Sequence, residues 1–113
     1  MKLVALAAAI VALTASSALG ATPTLNGTVG PGFTITLKQG SKSVKTLKAG
    51  TYKFVIADKS SIHDFHLTGP GVNKTTSVPK TGTTTWTITL KKGTYKFVCD
   101  PHKSFMKGSF TVS

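Results

Sequence analysis

Cys99, His102 and Met106 lie within one stretch of eight residues, Cys99-Asp100-Pro101-His102-Lys103-Ser104-Phe105-Met106. Cys99 is the only cysteine, and Met106 is the only methionine besides the initiator. A thiolate, an imidazole and a thioether together suit a soft metal that changes charge by one electron. Pro101 stiffens the link between Cys99 and His102, and the loop is long enough to wrap one ion. A three-coordinate plane of strong donors needs a second imidazole, which only His63 or His66 can supply. These two are three residues apart, so in an extended strand they face opposite sides. His63 shares its phase with Phe65 and Leu67. His66 is then expected at the surface, with Asp64 beside it on the same face.

Such donors must be brought together by a fold, and alternation of apolar and polar residues predicts strands almost throughout. Phe33, Ile35 and Leu37 alternate with threonine and lysine. Tyr52, Phe54 and Ile56 do the same, as do Trp86, Ile88 and Leu90, and then Phe110 and Val112. Ile62–Leu67 also reads as strand-like. Val29–Gly32, Gly40–Lys42, Thr68–Lys74 and Val78–Gly82 read as turns or loops from their glycines and prolines. No amphipathic helix is predicted after residue 20, where threonine and β-branched residues dominate. Leu47-Lys48-Ala49-Gly50-Thr51-Tyr52-Lys53-Phe54-Val55 returns as Leu90-Lys91-Lys92-Gly93-Thr94-Tyr95-Lys96-Phe97-Val98. The first copy leads into His63 and His66, the second into Cys99 and His102. About seven or eight short strands of this kind predict an all-β sandwich, in which distant loops meet at one end.

Residues 1–20 read as a secretory signal: Lys2, an uncharged apolar run from Leu3 to Leu13, and small residues up to Gly20. The expected mature domain is 21–113, and the apolar run is short for a membrane span. The chain has 14 basic residues, all lysine, three acidic residues and a formal charge of +11. Loss of Lys2 leaves thirteen lysines against three aspartates. Arginine, the usual reader of bases, is absent, which argues against nucleic acid. An acidic protein partner fits the charge, as does a merely solvated surface. A single thiol in an exported protein is expected to be reactive, paired between chains, or held by a metal.

Ser61-Ile62-His63-Asp64-Phe65-His66-Leu67, with Tyr95-Lys96-Phe97-Val98-Cys99-Asp100-Pro101-His102 and Met106, resembles the plastocyanin, amicyanin and azurin group of blue copper proteins, the cupredoxins. The resemblance spans essentially all of 28–113. It implies a Greek-key β-sandwich with one copper ion cycling between Cu(I) and Cu(II). It implies His63 as the early histidine ligand, Cys99 as the thiolate, His102 as the second histidine and Met106 as a weak axial ligand. The group carries asparagine after the early histidine, and Asp64 stands there instead. Aspartate accepts hydrogen bonds but donates none while ionised, and its charge would favour Cu(II).

The expected function is transfer of single electrons between redox proteins by an exported monomer, secreted or periplasmic, without enzymatic activity. The resemblance implies docking near His102, with an apolar patch around Phe105, Pro101 and Pro31. Two other readings use the same residues: copper handling without an electron partner, and a metal-free secreted binding module.

Overall fold

The computed structural model describes residues 21–113, so the expected signal segment 1–20 lies outside the described residues. Among the described residues ten strands form two five-stranded sheets. The strands are β1 (Thr24–Val29), β2 (Ile35–Gln39), β3 (Lys42–Ser43), β4 (Thr46–Leu47), β5 (Gly50–Asp58), β6 (His66–Gly69), β7 (Val72–Thr75), β8 (Gly82–Leu90), β9 (Gly93–Val98) and β10 (Lys107–Val112). One sheet runs β3-β2-β1-β5-β8 and the other β4-β10-β9-β6-β7. The fold is the expected all-β sandwich, and two of its strands, β3 and β4, are only two residues long.

Most neighbours pair antiparallel, but β1 runs parallel to β5 and β4 parallel to β10. Alternation along each strand sends one side inward. Leu25 and Val29, then Tyr52, Phe54 and Ile56, then Ile88 and Leu90 come from the first sheet. Leu67, Tyr95, Phe97, Phe110 and Val112 come from the second. Phe65 stacks on Phe97 with ring centres 5.5 Å apart, and Tyr95 stacks on Phe110 at 5.2 Å. Gly108 leaves room for this packing, because a Cβ there would run into the Phe97 ring.

The two copies of the repeated segment become β5 and β9, in different sheets. Both fold alike locally. Tyr52 donates its hydroxyl to the Lys48 carbonyl at 2.8 Å, and Tyr95 donates to the Lys91 carbonyl at 3.0 Å. From these tyrosines both strands run toward the same end of the sandwich, where β5 leads into the His63 segment and β9 into Cys99.

The structure departs from the expected elements in three places. Thr68–Lys74 is mostly strand: β6 and β7 form a hairpin with register Gly69↔Val72, turned at Pro70-Gly71. Residues 59–65 are irregular rather than strand, so His63 lies on a loop. Phe33 lies outside β2 in the 30–34 loop and is 56 % exposed, although alternation placed it on a buried phase.

Candidate metal centre

The turn after β5 is built by its own polar side chains. Asp58 Oδ1 accepts the Ser60 backbone N–H at 3.1 Å, and Ser60 Oγ accepts that of Ile62 at 3.3 Å. The turn closes with the His63 N–H on the Ser60 carbonyl, at 3.4 Å. The result is a fully buried His63 ring, wedged against the 30–33 loop. Its Nε2 donates to the Gly32 carbonyl at 2.9 Å. A carbonyl can only accept, so this bond fixes the proton on Nε2 and leaves the Nδ1 lone pair free. The peptide bond before Pro31 in that loop is cis.

Cys99 follows directly on β9 and is fully buried. A 3₁₀ turn over Asp100–His102, with Pro101 in its first turn, brings the chain back. Four backbone bonds close the loop: His102 N–H to the Cys99 carbonyl, Phe105 and Met106 N–H to the His102 carbonyl, and Cys99 N–H to the Met106 carbonyl. Met106 is 1 % exposed and enters β10 directly.

These two segments bring three donor atoms to one point. Cys99 Sγ lies 3.6 Å from His63 Nδ1 and 3.5 Å from His102 Nδ1, and the two Nδ1 atoms are 3.2 Å apart. The point equidistant from all three is about 2 Å from each, the length of a metal–imidazole bond. His63, Cys99 and His102 are the one group of potential metal donors of this kind among the described residues. The donor set therefore fits a small soft ion. Burial pushes the Cys99 thiol up, while backbone N–H groups of Asp64 and His102 pull it down. Without an ion the thiol keeps its proton, and binding must displace it.

Asp64, beside His63, is 3 % exposed and ties the two ligand segments together. Its Oδ1 accepts the Asp100 backbone N–H at 2.6 Å, and its Oδ2 accepts the Thr75 hydroxyl at 3.3 Å. Desolvation, reinforced by the Asp100 side chain, raises its carboxyl to about 6.

His66 does not stand free at the surface beside Asp64. Its Nδ1 meets the Asp100 carboxylate at 2.9 Å and its Nε2 the Asn73 carbonyl oxygen at 2.6 Å. Acceptors at both nitrogens favour the protonated ring. Burial lowers its pKa, but the bonds to Asn73 and Asp100 prevail and the net shift is upward.

Outside the donors lies an aromatic rim that the sequence only half revealed. The Phe33 ring packs edge-on against His63 and His102, with centres 5.3 and 5.0 Å apart. Phe105, 59 % exposed, lies 5.8 Å from His102, and Ile62 is 50 % exposed. Phe105 was expected in this rim. Phe33 was not, because its place beside Phe105, with ring centres 6.1 Å apart, depends on how the 30–33 loop folds over His63.

A family model described as a cupredoxin-like domain matches residues 3–112. Among solved structures the chain resembles reduced rusticyanin, 22 % identical, covering 83 % of this chain and 81 % of that chain with a TM-score of 0.60. Rusticyanin from Thiobacillus ferrooxidans is 25 % identical, covering 83 % and 79 %, with a TM-score of 0.56. A methionine-to-glutamine variant of amicyanin with Cu(I) is 15 % identical, covering 80 % and 83 %, with a TM-score of 0.53. No curated protein matches the chain.

Proposed function

Since the chain belongs to the cupredoxin-like domain family, we propose that it is an exported electron carrier using one copper ion that would be held by His63, Cys99 and His102, with Met106 as a fourth, weaker donor. The observation that carries this reading is the triangle of two imidazole nitrogens and one sulfur, closed to 3.2–3.6 Å at one end of a rigid sandwich. Copper at that place supplies a one-electron couple.

The protein's own groups do the rest. Gly32 holds His63 in one tautomer. Backbone N–H groups of Asp64 and His102 face the Cys99 sulfur and favour its thiolate. The Asp64–Asp100 bond fixes the spacing between the two ligand segments. Full burial of His63 and Cys99 excludes water. Donors held this firmly move little when charge changes, which keeps the reorganisation accompanying each transfer small. Met106 is buried against the same loop, where a thioether tunes potential more than it binds.

His102 is the half-buried member of the set. Phe33, Phe105 and Ile62 surround this end with exposed apolar surface. Electrons would pass through the His102 edge to a redox protein seated there. Weak, transient encounters of this kind need little area. The lysine surplus favours acidic partners. On this reading the protein is a carrier rather than an enzyme. No helix of the described residues is long and apolar enough to cross a membrane, and export through residues 1–20 is part of this proposal.

The test is a visible spectrum and a reversible redox titration of the copper-loaded protein. An intense thiolate-to-copper band that bleaches on reduction by one electron is expected. A protein that takes copper but shows no reversible couple is a copper-handling protein instead. One that takes none is a metal-free module.

A further inference from the structure

A second polar site lies behind the turn that carries His63, under the segment that joins β7 to β8. The Asp58 side chain is 4 % exposed, and its Oδ1 is engaged by the Ser60 N–H. Its Oδ2 is buried and has no hydrogen-bond partner. Asp58 lines a pocket of 170 Å³ together with the hydroxyl-bearing residues Thr76, Ser77, Thr81, Thr83 and Thr84, of which Thr76 already accepts the Phe65 N–H at 2.9 Å. Gly82, paired with Asp58 across the sheet, has open space where a Cβ would be. A buried carboxylate oxygen left unpartnered costs free energy that a bound cation can return. Desolvation accordingly holds the Asp58 carboxyl above the usual range despite the Ser60 bond.

We propose that this pocket binds a hard, oxygen-seeking cation of the calcium class, with Asp58 Oδ2 as the charged ligand and the surrounding hydroxyls and water completing the shell. Calcium accepts carboxylate, neutral oxygen and water ligands in a flexible shell of six to eight. The pocket has room for an ion with several retained waters. A single carboxylate with a lysine in the same lining makes the site weak, at or beyond the weak end of calcium sites, about 10⁻³ M or more. The Lys80 side chain lines the same pocket, yet the one ion pair among the described residues is His66–Asp100. Lys80 therefore competes with the cation by charge rather than closing the site. Because Asp58 also anchors the turn that carries His63, an occupied site would stiffen that turn.

Calcium chloride titrated into the full chain without added copper, followed by thermal unfolding and backbone amide resonances, tests this. The expected result is a rise in melting temperature and shifts confined to Asp58, the Ser60–His63 turn it anchors and residues 76–84. Asp58→Asn keeps an oxygen for the Ser60 N–H while removing the charge, and should weaken binding at least tenfold. Lys80→Gln should tighten binding several-fold. The proposal is overturned if sodium chloride at equal ionic strength reproduces the response, if Asp58→Asn binds as well as the parent, or if the shifts fall elsewhere. It is also overturned if Lys80→Gln destabilises the protein and fails to bind calcium, which would make Lys80 the partner of Asp58.

Discussion

Asp100 donates its backbone N–H to the Asp64 carboxylate at 2.6 Å, joining the residue after the early histidine to the residue after the cysteine. This one bond fixes the distance between two segments that lie far apart in the chain. Hydrogen bonds to charged groups contribute about 1.5–3 kcal/mol. Asp64→Ala should therefore destabilise the copper-free protein by about 2 kcal/mol and speed copper loss. Asp64→Asn keeps an acceptor oxygen and should cost less, while raising the reduction potential because a negative charge beside the site is gone. Chemical denaturation and a redox titration of each variant would decide. Equal stability of the alanine variant and the parent would remove the tie from the account.

Cys99→Ser should leave a folded β-protein without the intense visible band. Any such band surviving in the serine variant could not arise from a thiolate bonded to copper.

His63→Ala and His66→Ala should separate in the same spectrum. The first removes one corner of the donor triangle and should change the band strongly. The second removes a partner of Asp100 and should change it little. A reversed outcome would move the ligand to His66.

The His66–Asp100 pair sets a pH window. The folded pKa of His66 is raised, so its contribution is fully present below the unfolded value near 6.5 and fades as pH rises through the folded one. The folded pKa of Asp100 is lowered, chiefly by a side-chain hydrogen bond from the Asp64 carboxyl and then by His66. Its contribution is present above the ordinary carboxylate value near 3.9 and fades as pH falls through the lowered one. The pair thus stabilises most between about pH 4 and 6.5. Both side chains reach solvent, and the effect should stay under about 1 kcal/mol. His66→Gln should flatten the upper limb of a denaturation series in pH, and an unchanged limb would count against the pair.

Phe105→Ser should slow bimolecular electron transfer without altering the copper spectrum, since the ring lies outside the donors. Adding salt should slow transfer to an acidic partner, because exposed charges are screened over roughly 8–10 Å at physiological strength. Stopped-flow rates across a salt series would measure both. Rates indifferent to Phe105 would place docking elsewhere, and rates flat in salt would leave the lysines a solubility role.

The sandwich was legible in the sequence because inward residues such as Phe54, Ile56, Phe97 and Phe110 alternate strictly, and strand alternation is local information. Cys99 and His102 were legible as potential donors because few residue types bind soft metals and these two lie close in the chain, whereas His63 was preferred to His66 on a strand phase and a resemblance, and that strand is a loop. What escaped was non-local. Phe33 follows a buried phase in sequence but rides a loop folded over His63. The role of Gly32 rests on a backbone carbonyl, which no residue type announces. His66 looked like a surface histidine because its partners Asn73 and Asp100 reach it only through the hairpin and the ligand loop. The parallel pairing of β1 with β5 left no mark in periodicity.

The tyrosine bonds shared by β5 and β9 have a consequence for how this molecule can be altered. Each strand is fastened at the end remote from the ligands, with Tyr95 about 13 Å of extended chain before Cys99. The donors are thus carried at the tips of two separately anchored beams. Within the loop, Lys103 and Ser104 supply none of the donor atoms, so substitutions there should leave the aim of the beams intact. Variation in colour and potential can then be confined to a few tip residues, with the fastening end left as a constant chassis.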